Sequence, residues 1–123
     1  MYRVHKNCRI AYGVTRTVLL VGPWAFKFPS MVEWRLFLLG LLANMQERTF
    51  SRVGWPELCP VLWSLPGGWL VVMRRARGLT RQEFEQLDIK AWLDRGDYVI
   101  PAEPKRDSFG WIGEQLVAVD YGN

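Results

Sequence analysis

Asp120 has the clearest capacity for chemistry, because it directly follows a short apolar segment near the C-terminus. Residues 116–119 are apolar and rich in valine, which predicts a buried strand. Gly113-Glu114 predicts a tight turn before it, so that residues 109–112 and 115–119 form a hairpin. Asp120 then leaves the sheet edge as a carboxylate that could bind a metal ion or a cationic group. A solvated turn aspartate is the alternative interpretation.

Lys27 is the second candidate, because strand alternation places it on a defined face of a sheet. The segment 24–28 follows the turn signal Gly22-Pro23 and is predicted to pair with residues 14–21. Its Trp24, Phe26 and Phe28 share one face, whereas Ala25 and Lys27 share the other. An ordinary solvent-facing lysine is the alternative interpretation.

A basic connector follows the predicted strand 69–73. Arg74, Arg75 and Arg77 lie in this connector, and Trp69 opens the strand before it. Arginine and tryptophan side chains anchor many protein interfaces, and arginines also bind phosphates. A solvated basic loop is the alternative interpretation.

Composition limits the classes of protein that fit. The chain has 123 residues, of which 50% are hydrophobic and seven are tryptophan, and its net charge is +4. This length predicts one domain with an ordinary core. A charge this small permits binding to nucleic acid without requiring it. Two cysteines and one histidine cannot form a usual structural zinc site. Without a secretory signal or a long apolar run, we expect a soluble cytoplasmic protein with no membrane partner.

The periodicity predicts an α+β fold, an antiparallel sheet with a long helix packed across it. Ser30 and Glu33 fit a capping box, which predicts a helix from Met31 to about Arg52. Since residues 37–42 are almost all apolar, we expect the middle of this helix to be buried on several sides. A second capping box at Thr80 predicts a helix to about Leu93. The predicted strands are one within residues 1–13, then 14–21, 24–28, 60–64, 69–73, 109–112 and 115–119.

This order of elements, with these residues, resembles the protein-kinase-like fold, especially compact phage and bacterial relatives and, distantly, aminoglycoside phosphotransferases. Ala25-Phe26-Lys27 matches the family's Ala-x-Lys strand, and Glu47 follows Lys27 by 20 positions in the next helix. Asp120-Tyr121-Gly122 is similar to the family's D-F-G motif. The resemblance implies that Lys27, Glu47 and Met73 bind a nucleotide and that Asp120 holds magnesium.

The catalytic loop of the family aligns with the residues before the last hairpin. The resemblance implies that Glu103 occupies the catalytic carboxylate position and Lys105 the phosphate-contacting lysine, with Ser108 at the second metal position. No G-x-G-x-x-G loop precedes the first hairpin, and Pro101-Ala102 replaces the family's histidine and arginine. The division implied is a sheet-and-helix lobe over 1–73, a hinge over 74–79 and a reduced second lobe over 80–123. Since the D-F-G-like motif lies at the end of this sequence, we expect neither an activation segment nor a large helical lobe.

The eroded motifs predict a degenerate kinase-like binding protein of the pseudokinase type. We expect it to be encoded by a phage and to modulate a host protein, such as a bacterial defence or regulatory system. Trp69, Arg74, Arg75 and Arg77 are its candidate interaction residues. A minimal phosphotransferase that uses ATP and magnesium is the first alternative, and a basic nucleic-acid-binding module is the second.

Overall fold

The computed structural model describes residues 8–122, which form an α+β fold with two antiparallel sheets. The larger sheet has five strands in the order β1-β2-β3-β5-β4. The long helix α1 (Trp34–Ser51) connects β3 to β4 and packs across the sheet, chiefly on β3. The predicted fold class is therefore confirmed. The five strands are β1 (Cys8–Tyr12), β2 (Arg16–Val21), β3 (Trp24–Pro29), β4 (Val61–Leu65) and β5 (Leu70–Arg74).

The smaller sheet has three strands in the order β6-β7-β8. Two short helices connect β6 to β7, in the stretch where the sequence predicts one continuous helix from residue 80 to residue 93. That prediction is wrong in the middle, because the Asp88 side chain accepts a hydrogen bond from Ala91 N and starts a new helix. The strands are β6 (Arg77–Gly78), β7 (Phe109–Ile112) and β8 (Gln115–Ala118), and the helices are α2 (Arg81–Gln86) and α3 (Ile89–Leu93).

The predicted turns form where their glycines allow them. Gly22 and Gly113 both adopt a positive φ, of 54° and 61°, at the tips of the β2–β3 and β7–β8 hairpins. Glycine adopts this conformation without steric cost, which explains why these short sequence signals are reliable. The hairpin of β4 and β5 also forms, around the 3-10 turn Pro66–Gly68. Tyr2 and Val4 of the first predicted strand lie outside the described residues.

The start of α1 differs from the prediction. The helix begins at Trp34, and Glu33 is its N-cap without any side-chain capping bond. Ser30 instead accepts a hydrogen bond from Val32 N at 3.3 Å, so the predicted Ser30–Glu33 capping box does not form. A second capping box, between Thr80 and Glu83, does form as predicted.

The burial of α1 contradicts the prediction made from its apolar run. Leu38, Leu39 and Leu42 are exposed, and the buried positions of the helix are Gly40, Asn44 and Glu47. Gly40 is needed because the Cβ of any larger residue would overlap the Thr15 carbonyl oxygen. The helix therefore turns a polar stripe toward the protein and leaves three of its five leucines exposed, with Leu36 and Leu41 half-buried.

The apolar core lies instead between β5, β7, β8 and the short helices. Its buried members include Met73, Ile100, Phe109, Val117 and Tyr121. The Tyr121 hydroxyl donates a hydrogen bond to the Cys59 carbonyl oxygen at 2.6 Å, which ties the end of the last hairpin to the segment before β4. Among the helices of residues 8–122, none is long and apolar enough to cross a membrane.

Candidate functional site

Four charged side chains from four distant parts of the chain meet where α1 faces both sheets. Arg16 opens β2, Lys27 lies in β3, Glu47 lies in α1, and Asp120 follows β8. We refer to these four residues as the ionic cluster. Strand register explains part of the arrangement, because Val18 pairs with Lys27 and so places Arg16 diagonally beside Lys27 on the same sheet face.

Lys27 and Glu47 form a buried ion pair. The Lys27 ammonium lies 3.0 and 3.1 Å from the two Glu47 carboxylate oxygens, and it also donates to the Val119 carbonyl oxygen. A lysine has three N–H donors, so these three contacts use all of them. Lys27 is therefore not the solvent-facing lysine of the alternative interpretation. The structure pairs it with Glu47, the helix glutamate that the kinase-like resemblance had aligned with this lysine.

Arg16 bridges the two carboxylates of the ionic cluster. Its guanidinium donates to both oxygens of Glu47, at 2.6 and 2.9 Å, and to Asp120 Oδ1 at 2.6 Å. Sequence reasoning missed this residue. The available signal was weak: Arg16 is the single charge in the otherwise uncharged segment 14–21. A lone charge at the start of an apolar strand predicts either a buried partner or an exposed strand end, and residues nearby in sequence do not decide between them.

Glu47 is the central acceptor of the ionic cluster. Besides the two cations, it accepts a hydrogen bond from Tyr121 N at 3.1 Å. Burial by itself raises the pKa of this carboxyl, but the charges of Lys27 and Arg16 outweigh burial and hold the pKa below its ordinary value. Glu47 is therefore ionised at neutral pH although its side chain is fully buried.

The two cations respond differently to the same surroundings. Burial is the largest influence on Lys27, and it lowers the pKa of the ammonium despite the attraction of Glu47. Burial also opposes the charge on Arg16, but Glu47 and Asp120 together raise the pKa of the guanidinium. Arg16 thus carries a permanent positive charge between two carboxylates, and together with Lys27 it balances their two negative charges.

Asn44 fixes the backbone around the ionic cluster. Its amide donates to the carbonyl oxygens of Lys27 and Gly68, at 3.0 and 2.8 Å, and its Oδ1 accepts from Arg16 at 3.0 Å. One buried amide therefore connects α1 to β3 and to the turn before β5. Every polar group on the buried stripe of α1 has a partner, which is the condition for burying such groups without a large cost.

Asp120 remains partly accessible, with 38% of its side chain exposed. Ser108, the other predicted metal ligand, is buried, and its hydroxyl has no hydrogen-bond partner among the described residues. No group of three or more His, Cys, Asp or Glu within residues 8–122 is placed to hold a metal ion. Proteins hold magnesium through one or two carboxylates together with waters and substrate phosphates, and those carboxylates must be free to bind it. The bound Arg16 guanidinium supplies the opposite charge, so the residues as placed do not fit that ion.

The two predicted catalytic-loop residues lie at the surface. Lys105 Nζ is 3.7 Å from Glu103 Oε2, and both side chains are more than half exposed. They line the same open cleft as Lys27 and Asp120, together with Met73. The cleft has a volume of about 1390 Å³ and lies between the two sheets. Its lining includes seven arginine or lysine residues and three acidic residues, so the cleft is basic.

The predicted interaction residues do not form one surface. Trp69 precedes β5 and packs against Phe37 with a centroid distance of 5.3 Å, whereas Arg74 ends the same strand. Five residues of extended strand separate their backbones by roughly 16 Å. Arg77 is paired with Glu83 at 2.8 Å, and Arg75 donates to the Gly22 carbonyl oxygen at 3.4 Å. Two of the three arginines are therefore already engaged within the protein.

Comparison with known proteins finds no relative of this chain. No family model matches the sequence, and no curated protein or solved structure is significantly similar to it. Function must therefore be inferred from the ionic cluster and from the surfaces around it.

Proposed function

We propose that this chain is a kinase-like binding protein of the pseudokinase type, which acts by binding another protein rather than by transferring phosphoryl groups. Three features support the kinase-like part. The helix α1 stands between β3 and β4, Lys27 of β3 pairs with Glu47 of α1, and the hairpin β7–β8 leads directly into Asp120. In protein kinases a strand lysine pairs with a helix glutamate, and a following aspartate binds magnesium.

The observation that carries the proposal is the position of the Arg16 guanidinium. Phosphoryl transfer requires a lysine that contacts phosphates and a carboxylate that binds metal ions. Here the Lys27 donors are all used within the protein, and Asp120 is paired with Arg16 at 2.6 Å. Magnesium could bind Asp120 only if the Arg16 guanidinium released that carboxylate. We therefore place the chain among proteins that keep the kinase-like framework without its phosphate chemistry.

The ionic cluster also supports a role in binding, because it fixes the position of α1. Arg16 and Lys27 connect the large sheet to α1 through Glu47, and Arg16 reaches the end of the small sheet through Asp120. These contacts hold the helix at a fixed position relative to both sheets. A fixed helix presents its outer side as a preorganised surface, and preorganisation lowers the entropy lost when a partner binds.

The resemblance to compact phage and bacterial kinase-like proteins suggests the biological setting. We propose a phage-encoded protein that modulates a host protein, such as a component of a bacterial defence or regulatory system. The basic cleft and the exposed tryptophans offer contact chemistry for such a partner.

A nucleotide titration tests the proposal. Thermal unfolding of the full chain, followed by tryptophan fluorescence, is measured with and without millimolar ATP and magnesium. We expect no change in the midpoint. A ligand at a hundred times its dissociation constant would add about 2.7 kcal/mol of stability, which this assay detects easily.

A minimal phosphotransferase is the second candidate, favoured by the Lys27–Glu47 pair and by the apolar cleft wall at Ala25 and Met73. If ATP and magnesium raise the unfolding midpoint, this candidate replaces our proposal. The rise must then disappear in Lys27→Ala and persist in Lys90→Ala, a matched control on an exposed residue outside the cleft.

A further inference from the structure

The outer side of α1 exposes apolar residues in a regular stripe. Leu38, Leu42 and Met45 follow the spacing i, i+4 and i+7, and each is 40–47% exposed. Residues at this spacing share one face of a helix. Trp34, at the start of the helix, is 71% exposed. An ordinary surface helix buries such a stripe, so this helix is oriented with its apolar side outward.

Aromatic side chains extend this surface toward the β4–β5 connection. Trp34 stacks on Phe37 with a centroid distance of 5.7 Å, and Phe37 meets Trp69 edge-on at 5.3 Å. Trp69 is 52% exposed. We call Trp34, Leu38, Leu42, Met45 and Trp69 the outer α1 surface. Contiguous apolar patches with tryptophan at their margins mark sites where another protein binds.

The exposed charges within α1 that flank this surface are both positive. Arg35 and Arg48 are exposed, and neither has an ion-pair partner within residues 8–122. At 3.6 residues per turn, they lie on opposite flanks of the leucine stripe. The one carboxylate within the helix, Glu47, is buried in the ionic cluster, and Glu33 stands just before the first turn. The flanks of the outer α1 surface are therefore cationic.

We infer that the outer α1 surface binds an amphipathic helix of a different protein, with an apolar face and acidic residues on both of its flanks. Leucine and methionine of the stripe fit between the apolar side chains of such a helix, as ridges fit into grooves. Its carboxylates face Arg35 and Arg48, and complementary charge gives the pairing its orientation and specificity. This inference rests on the proposed function and specifies the chemistry of the protein partner.

Charge also argues against a second copy of this chain, and against residues 1–7, as the occupant of the outer α1 surface. In a second copy, the same surface brings arginines of like sign to its margins. Residues 1–7 carry Arg3 and Lys6 and no carboxylate, so that segment does not complement the surface either. An acidic partner from another protein satisfies both the apolar stripe and its flanks.

A displayed library of helical peptides, randomised at the apolar and flanking positions, tests the inference by selection on the immobilised full chain. We expect enriched peptides to be amphipathic, with aspartate and glutamate outnumbering lysine and arginine at the flanks. The affinity of these peptides for the double variant Leu38→Glu/Leu42→Glu should be at least about tenfold lower than for the wild type. Tenfold is roughly the loss expected from one buried leucine. The control Val99→Glu changes another exposed apolar residue and should leave affinity unchanged.

A second double variant tests the contribution of charge separately from that of apolar packing. Arg35→Glu/Arg48→Glu should weaken the selected acidic peptides by about fivefold or more at low salt, and high salt should remove that difference. Peptides with basic or uncharged flanks, or affinities unaffected by the leucine variant, would overturn the inference. Self-association in sedimentation that Leu42→Glu abolishes would assign the surface to a second copy instead. Nucleotide binding would refute the proposed function and leave these peptide results standing.

Discussion

The substitution Glu47→Gln removes the negative charge that holds the ionic cluster together while it preserves side-chain shape. The Glu47 carboxylate accepts from Arg16 at 2.6 and 2.9 Å, from Lys27 at 3.0 and 3.1 Å, and from Tyr121 N at 3.1 Å. A glutamine has one acceptor oxygen, and its NH₂ group would point at a donor. The substitution therefore leaves buried Lys27 without any carboxylate.

The expected cost follows from that arrangement. Removal of one partner from a buried ion pair destabilises a protein by about 3–5 kcal/mol, because the remaining charge is buried without compensation. We expect a loss within this range, a large fraction of the roughly 5–15 kcal/mol that stabilises a typical domain. The cost is smaller for Arg16→Ala, since Lys27 still neutralises Glu47 and partly exposed Asp120 is solvated.

Urea unfolding followed by tryptophan fluorescence measures this loss. With a slope of about 1.5 kcal/mol/M, a loss of about 3 kcal/mol lowers the midpoint by roughly 2 M. Glu114→Gln, at an exposed turn position, serves as the control and should change stability by less than about 0.5 kcal/mol. A Glu47→Gln loss below about 1 kcal/mol would refute the view that this buried charge is compensated by its neighbours.

The pH dependence gives a second measure of the same charge. The pKa of Glu47 is lower in the folded protein than its ordinary value of 4.5. The stability that this difference supplies is fully present above about 4.5 and is lost as the pH falls through the folded pKa. The gap in stability between wild type and Glu47→Gln should therefore be constant at neutral pH and narrow below 4.5. A gap that widens in acid would contradict the assignment.

Two local predictions complete this set. Gly40→Ala should destabilise the protein by about 1–3 kcal/mol, because its Cβ would lie 2.7 Å from the Pro29 Cα, whereas Gly78→Ala meets no atom within 4 Å and should be neutral in the same urea assay. Thr80→Ala should cost about 1 kcal/mol, because it removes the capping bond from Glu83 N at 3.1 Å; a change below about 0.3 kcal/mol would show that the capping bond does not stabilise the fold.

Local signals predicted those parts of the fold that depend on local physics. Gly22 and Gly113 predicted the positions of two hairpin turns correctly, because the ability to adopt a positive φ depends on the single residue at that position. Alternation along β3 assigned Ala25 and Lys27 to one face, and both are buried together. The capping box at Thr80 formed because both of its hydrogen bonds lie within four residues.

The burial of α1 was predicted wrongly, because burial depends on what the neighbouring elements supply. The leucines of this helix suggested an apolar core, but Asn44 and Glu47 face inward where Arg16 and Lys27 provide partners. Those partners come from two strands whose sequence positions precede the helix by many residues. A window of sequence along the helix contains no information about them.

The sequence by itself determined the α+β order of elements and the hairpins, and its kinase-like resemblance indicated Glu47 as the partner of Lys27. The tertiary structure alone decided the position of Arg16, which is 104 residues from Asp120 along the chain and 2.6 Å from it in space. The physical reason is that a buried charge is stable only when opposite charges and donors surround it. Folding collects those groups from distant elements, and their convergence changed Asp120 from a candidate metal ligand into the partner of an arginine.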